Sequence, residues 1–168
     1  NISIDVVWRA ANYSVTFDSD GGSKVENAEI DYDGEFSFGV PEKLGYDFVG
    51  WAYNDILITD GQGKGLAVWN IDKEKIELKA VWQATVYSVS YGNLKGATNT
   101  NAASYTIETS VTFADIAQEG YTFIEWQDEK GEKITEISEG NTGNRTITAV
   151  WNLIGYKATF KADGAVLS

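Results

Sequence analysis

A seven-residue pattern that occurs twice constrains this chain more than any other feature. Gly45–Trp51 reads Gly-Tyr-x-Phe-apolar-x-Trp, and Gly120–Trp126 repeats the pattern 75 residues later, since 120 − 45 = 75. Self-similarity over so long a period is typical of a tandem array of structural units. The chain therefore predicts two units of about 70 residues each, rather than the single domain that its length alone would suggest.

Two further segments recur around this pattern and have the composition of β-strands. Segments ending in Val-Trp occupy 4–8, 78–82 and 147–151. Segments that alternate apolar and polar residues occupy 13–17, 87–91 and 156–160. A period of two predicts strands with one buried face. From these elements we predict the last strand of a preceding repeat over 1–8, repeat unit 1 over 13–82, repeat unit 2 over 87–151 and the start of a truncated third repeat over 156–168.

The junctions between units have a constant length. The closing Trp and the next Tyr are five positions apart at all three junctions, whereas the Trp-to-Trp period changes from 74 (82 − 8) to 69 (151 − 82). A constant length predicts a defined element rather than a free linker. Because five is odd, Trp82 and Tyr87 face opposite sides of an uninterrupted strand. Either the junction bends or neighbouring cores lie on opposite faces of a shared strand, and we expect units strung end to end.

Composition excludes several classes of protein. The 22 aromatic residues (6 Trp, 9 Tyr and 7 Phe) are numerous enough to build the cores of small units. The net charge of −12 argues against nucleic acid and anionic membrane surfaces as partners. No apolar run approaches the roughly 18 residues of a membrane span. The chain has no His and no Cys, so it lacks the commonest general base and any disulfide.

No motif predicts catalysis, a cofactor or a metal. Nucleophile elbows, phosphate-binding loops and Cys/His metal spacings are all missing from the sequence. Asp18, Asp20 and Glu29 mimic three positions of a calcium loop, but Ser23 stands where the loop needs glycine. We therefore predict a plain acidic turn, with a cation site as the alternative, and a chain that is not an enzyme.

The aromatic signature has two interpretations. Alternating aromatic residues in strands usually pack in a core, and this is the prediction for Gly45–Trp51 and Gly120–Trp126. The alternative is a platform on which sugars stack. Trp69 and Tyr53 lie outside the duplicated signature, so they are the better candidates for an exposed aromatic residue.

The assembled pattern resembles the Listeria–Bacteroides repeat, also known as the internalin B type B-repeat. Unit 1 carries the features of this pattern, which are Tyr13, Gly21-Gly22, Pro41, Gly45–Trp51, Trp69 and Ala80-Val81-Trp82. Unit 2 resembles a more divergent member. It keeps Tyr87, most of Gly120–Trp126 and Ala149-Val150-Trp151, and it lacks the Gly-Gly turn, the proline and the second tryptophan.

The resemblance implies a fold and a function. Repeats of this family occur in exported bacterial surface proteins, often as stalks, and the internalin-type member has a ubiquitin-like β-grasp fold. The only weakly helical stretches are Asp72–Ile76 and Ala114–Glu119. The expected fold is therefore mainly β, of the α+β β-grasp type with a short or absent helix.

The expected function is that of a non-catalytic module of an extracellular, cell-surface attached protein, acting as a stalk or spacer or in adhesion. Its expected partners are the neighbouring repeats of the same chain, without nucleic acid or membrane insertion. The alternative is a module that uses exposed aromatic residues to bind a glycan or a host surface protein.

Overall fold

The computed structural model describes residues 7–158 and two short strands over 161–162 and 165–166. The chain divides between Thr85 and Val86 into two units, called unit 1 and unit 2 below. Of the predicted strand over 1–8, residues 1–6 lie outside the described residues, and Val7 and Trp8 are exposed and not in a strand. Of the predicted third repeat over 156–168, residues 156–158 are described without a strand. Residues 159–160, 163–164 and 167–168 lie outside the described part.

Unit 1 is built on one five-stranded sheet. Its strands are β1 (Asn12–Asp18), β2 (Ala28–Asp31), β3 (Tyr46–Tyr53), β4 (Ile56–Leu57) and β5 (Ile76–Ala84). They are ordered β2-β1-β5-β3-β4, with β1 and β5 parallel and the other neighbours antiparallel. The first and last strands of the unit therefore lie side by side in the middle of the sheet.

Unit 2 repeats this topology. Its strands are β6 (Tyr87–Gly92), β7 (Ser104–Tyr105), β8 (Val111–Thr112), β9 (Tyr121–Gln127), β10 (Lys133–Ile134), β11 (Glu136–Ile137) and β12 (Arg145–Leu153). The sheet order is β7-β6-β12-β9-β10, with β6 parallel to β12, and β8 pairs with β11 separately. Two further strands, β13 (Lys161–Ala162) and β14 (Ala165–Val166), pair with each other.

No helix forms among the described residues, and the mainly β prediction is confirmed. The stretch Asp72–Ile76 is too short to offset the cost of nucleating a helix, and its last residue begins β5. In Ala114–Glu119 the backbone is held by a side chain instead. The N–H of Ala114 donates to Asn101 Oδ1 at 2.7 Å, and its carbonyl accepts from Asn101 Nδ2 at 3.0 Å.

The repeated aromatic signature lies in the core of each unit, as predicted. Trp51 is 0% exposed and Trp126 is 3% exposed. Their indole N–H groups donate to equivalent backbone carbonyls, those of Gly39 and Ala114, at 2.9 Å in both units. The signature tryptophans therefore combine apolar burial with a satisfied polar group, as buried tryptophans usually do.

A β-bulge explains the three-residue spacing between Phe and Trp in the signature. In a regular strand, residues three apart face opposite sides. The register of β3 against β5 shifts at Val49, and that of β9 against β12 shifts at the equivalent Ile124. The extra residue brings Phe48 and Trp51 to the same face, with ring centroids 5.3 Å apart. The same distance separates the equivalent rings in unit 2.

Candidate functional site

Trp69 and Tyr53, the better candidates for an exposed aromatic residue, pack in the core of unit 1. Trp69 is 1% exposed, and Phe36 and Phe38 meet its ring edge-on at centroid distances of 5.3 and 6.1 Å. Tyr53 is half-buried and packs against the same cluster. Neither candidate is therefore an exposed aromatic residue. Absence from the duplicated signature did not mean absence from the core, because unit 1 has core residues that unit 2 replaces.

Unit 2 forms its buried core without a counterpart of Trp69. Tyr105 pairs with Tyr87 in the register where Ile30 pairs with Tyr13 in unit 1. Tyr105 is buried, and its hydroxyl donates to the carbonyl of Gly143. The larger side chain at this register adds core volume that unit 1 obtains from other residues.

The acidic turn at Asp18 and Asp20 is held by its own backbone and by lysines. The N–H of Asp20 donates to the Asp18 carboxylate at 2.9 Å. The Asp20 carboxylate lies 3.5 Å from Lys79 Nζ and 3.9 Å from Lys43 Nζ. Glu29 lies in β2, and no three acidic side chains within the described part of the chain converge as metal ligands would. These contacts tie the turn to Lys43 and Lys79.

A lysine lies over the signature tyrosine in each unit. Lys43 Nζ is 4.6 Å from the ring centroid of Tyr46 and 5.6 Å from that of Trp82. Lys95 Nζ is 5.9 Å from the ring centroid of Tyr121. The two lysines come from different loops, one preceding β3 and one following β6. Each such contact stabilises by about 0.5–1 kcal/mol when partly exposed, so these rings contribute to the stability of their units.

Asp128 holds the turn between β9 and β10. Its carboxylate accepts the backbone N–H groups of Glu132 and Lys130, each at 2.9 Å. The bond from Glu132 is the main reason why the pKa of Asp128 lies below its usual range. Burial opposes this shift, and the bond from Lys130 and the charges of Lys130 and Arg145 add to it.

Replacing Asp128 with asparagine is expected to reduce the acid sensitivity of unit 2. Because the pKa is lower in the folded state, the charged form stabilises the fold fully above the unfolded pKa of about 3.9. This contribution is lost as the pH falls through the folded-state pKa. Thermal unfolding measured over a series of acidic pH values checks the prediction, and the variant should lose less of its Tm than the parent. An equal loss in both proteins would contradict it.

Two exposed aromatic rings, Trp8 and Tyr32, and the half-buried Tyr13 lie near the beginning of unit 1. Trp8, Tyr13 and Tyr32 line a cleft of about 420 Å³ that also presents Asp33 and Asp72. The Tyr13 hydroxyl donates to the Asp72 carboxylate at 2.8 Å, and this bond raises the pKa of Tyr13. Ring faces beside carboxylate acceptors suit a sugar or an organic cation. No sequence pattern marks this group, because its residues come from three segments far apart in the chain.

The described residues contain no helix of the length and apolar character that crossing a membrane requires.

Each of the two units matches a known family of repeat domains. Residues 13–65 match the Listeria-Bacteroides repeat domain, and residues 87–155 match the divergent InlB B-repeat domain. No solved structure matches the chain.

Two relatives come from Evansella cellulosilytica. One is described as a Gly-rich membrane protein and is 29% identical over 98% of this chain, which spans 19% of that protein. The other is described as a membrane protein and is 29% identical over 94% of this chain, which spans 24% of that protein. The chain thus matches only a small part of each relative. Its two units are tandem repeats of one kind, a Listeria–Bacteroides repeat followed by a divergent InlB B-repeat.

Proposed function

We propose that this chain is a load-bearing spacer of an exported bacterial surface protein, with its repeats arranged in series between other segments. The proposal rests on the repeat families that the chain matches and on relatives described as membrane proteins. Both relatives are much longer than this chain, as expected if such repeats occupy only part of a larger protein. We also infer that the module is not catalytic, because the Asp18 and Asp128 carboxylates hold turns and most of its aromatic rings pack in the two cores.

The observation that carries the proposal is the parallel pairing of the first and last strands of each unit. In unit 1, β1 pairs with β5 from Val15 opposite Ile76 to Asp18 opposite Lys79. In unit 2, β6 pairs with β12 in the same way. Because the two strands are parallel, the N-terminal end of one and the C-terminal end of the other lie at opposite ends of the ladder. A pull along the chain therefore loads all the ladder hydrogen bonds together, in shear.

The net charge of the chain and the separate cores of its two units support the same role. A net charge of −12 over 168 residues keeps copies of the chain apart and soluble. The buried cluster of unit 1 and that of unit 2 share no residue. Units with separate cores can be added in series to set the length of a spacer, which is the logic of repeat arrays.

Single-molecule stretching of the chain tests the proposal. Forced unfolding is governed by the unfolding barrier along the pulling direction. We expect two unfolding events at high force when the chain is held through its ends. When unit 1 is instead held through cysteines introduced at Asn54 and Asn12, we expect its unfolding force to drop at least twofold. That geometry pulls on the turn after β3 and no longer shears β1 against β5.

Comparing the unfolding force of unit 1 in the two pulling geometries tests the load-bearing role. Equal forces would remove the structural basis for a load-bearing role, even if both units unfolded reversibly. The control is thermal unfolding of each cysteine variant. A two-state transition at the Tm of the parent protein shows that the attachment points do not weaken the fold.

A second candidate is a glycan-binding module, favoured by the aromatic cleft around Trp8. In this alternative Trp8, Tyr13 and Tyr32 supply ring faces, while Asp33 and Asp72 accept hydrogen bonds from sugar hydroxyls. Titration of the tryptophan emission with soluble bacterial and host polysaccharides distinguishes the candidates. A saturable change that Trp8→Ala removes would move the binding module ahead of the spacer.

A further inference from the structure

Unit 1 exposes an apolar cleft at one edge of its sheet. The cleft, called the edge cleft below, has a volume of about 100 Å³ and is lined chiefly by Leu57, Leu66, Val68, Phe36 and Trp69. Leu66 is 61% exposed, and Leu57 and Val68 are also exposed, while Trp69 is buried beneath them. Solvent-exposed apolar groups that surround a cleft in this way mark interaction sites more often than isolated surface apolar residues do.

The edge cleft lies where two extended segments separate. Thr59 and Gly65 form a β-bridge, and the N–H of Leu66 donates to the carbonyl of Ile58 at 2.9 Å. Beyond this point the pairing ends, because the next segment turns away and the N–H of Trp69 donates to the carbonyl of Gly34. The cleft is the gap between β4 and the departing chain.

Backbone groups beside the edge cleft are available to a partner. The two-residue turn after Tyr53 makes Tyr53 and Ile56 a hydrogen-bonded pair, so the N–H and C=O of Leu57 point away from β3. The N–H groups of Ala67 and Val68 form no hydrogen bond with any residue in the described part of the chain. The β4 side of the cleft thus presents strand backbone that another strand can pair with, and the other side presents two N–H groups without a partner in the described part of the chain.

The equivalent edge of unit 2 shows that the fold does not require apolar residues here. Leu57 lies opposite Ala52, and Lys133 lies opposite the equivalent Gln127, so unit 2 places a lysine where unit 1 has a leucine. The residue before that lysine is Glu132, where unit 1 has the 69% exposed Ile56.

The other side of the edge cleft is also apolar in unit 1 and polar at the equivalent place in unit 2. Gly65 bonds to Phe36, and Ile137 pairs with Val111 at the equivalent place in unit 2. The following residue is Leu66 in unit 1 and Ser138 in unit 2. Charged and polar residues protect the sheet edge of unit 2 from pairing with other chains, as is usual in natural sheets. Unit 1 lacks this protection at the same place.

We propose that the edge cleft of unit 1 binds an extended segment of a partner protein, which adds a strand beside β4 and inserts one aliphatic side chain between Leu57 and Leu66. Strand addition of this kind takes its affinity from main-chain hydrogen bonds and its specificity from side-chain pockets. A volume of about 100 Å³ accommodates one such side chain, since an apolar cavity of about 150 Å³ holds benzene.

The charge of the chain defines the partner further. A second copy of this chain is a poor occupant, because two molecules that each carry −12 repel each other. The exposed apolar groups also cover on the order of a few hundred Å², well below the roughly 800 Å² per partner of a stable dimer. The expected occupant is therefore an extended segment that is apolar on one face and neutral or cationic on the other. This interaction goes beyond the spacer function and does not depend on it.

A synthetic peptide tests the proposal with the whole chain. The probe is a fluorescein-labelled, end-capped peptide of alternating lysine and valine residues, and its binding is followed by fluorescence anisotropy at physiological salt. We expect a Kd below about 1 mM and at least tenfold weaker binding to the double variant Leu57→Gln, Leu66→Ser. The matched control is Leu44→Gln, which changes a 76% exposed leucine elsewhere in unit 1 and should leave binding within twofold of the parent.

Two further measurements complete the test. A peptide with serine in place of valine has the same charge but no aliphatic side chains. If it bound as tightly as the valine peptide, charge attraction alone would explain the binding, and the proposal would be overturned. Sedimentation equilibrium reports self-association, and a dimer that the double variant abolishes would assign the edge cleft to a second copy instead. Absence of binding at 1 mM probe would also overturn the proposal, provided that the thermal unfolding of the parent chain shows two folded units.

Discussion

Replacing Trp51 with alanine is expected to lower the free energy of unfolding of unit 1 by about 3–5 kcal/mol. The side chain is fully buried, and the rings of Phe17 and Phe48 contact it at centroid distances of 4.7 and 5.3 Å. Its indole N–H also donates to the carbonyl of Gly39, which the substitution leaves without this donor. Loss of apolar contact, an unfilled cavity and an unpaired carbonyl all act in the same direction.

The equivalent substitution Trp126→Ala should destabilise unit 2 to the same extent and leave unit 1 unchanged. The two buried clusters have no residue in common, and effects at sites that share no partners are usually independent. Calorimetric unfolding of the parent and the two variants separates the effects, because each variant should shift one transition only.

Trp8→Ala is the matched control for both substitutions. Trp8 is 89% exposed, so its removal should change stability by no more than about 0.5 kcal/mol. A Trp51→Ala variant with the stability of the Trp8→Ala variant would show that the signature tryptophan does not hold the core.

The elements that could be predicted from the sequence are those that recur. The alternating and Val-Trp segments of the full units became β1, β5, β6 and β12, and the heptapeptide became β3 and β9. The alternating segments have a period of two, which depends only on which face of a strand is buried. The core position of Trp51 and Trp126 could be predicted because aromatic residues in strands usually pack in a core, although the bulge in each signature strand could not. An aromatic residue on the buried face of a repeated strand packs in the core of its unit.

What could not be predicted depends on segments that only one unit contains. Trp69 and the edge cleft belong to the loop-rich stretch between β4 and β5, where unit 1 and unit 2 differ in length. The unbroken apolar run Leu66-Ala67-Val68 was the available signal, but a run without alternation does not distinguish a buried segment from an exposed one. The non-helical course of Ala114–Glu119 depends on Asn101, a tertiary contact that no local pattern contains.

Gly50→Ala is expected to destabilise unit 1 by roughly 2–4 kcal/mol, from backbone strain together with a lost hydrogen bond. Gly50 follows the bulge in β3 and has a φ of 155°, a conformation that residues with a side chain rarely adopt. A Cβ at this position would overlap the carbonyl oxygen of Thr59 and crowd the Leu57 side chain. Thr59 is itself buried, and its hydroxyl accepts the N–H of Trp51 at 2.8 Å. Displacing Thr59 therefore strains the backbone and weakens the bond that fixes the core tryptophan.

Unit 2 provides the internal control for this prediction. Glu125 pairs with Val150 in the register where Gly50 pairs with Val81, so the fold accepts a long side chain at the equivalent place. The difference arises from the segment at Thr59, which approaches β3 in unit 1 and which unit 2 replaces with a shorter connection. Glu125→Ala should accordingly change stability by less than about 0.5 kcal/mol. Chemical unfolding of both variants checks the pair. If Gly50→Ala were as mild as Glu125→Ala, the close packing of Thr59 against β3 could not be what requires glycine in the signature of unit 1.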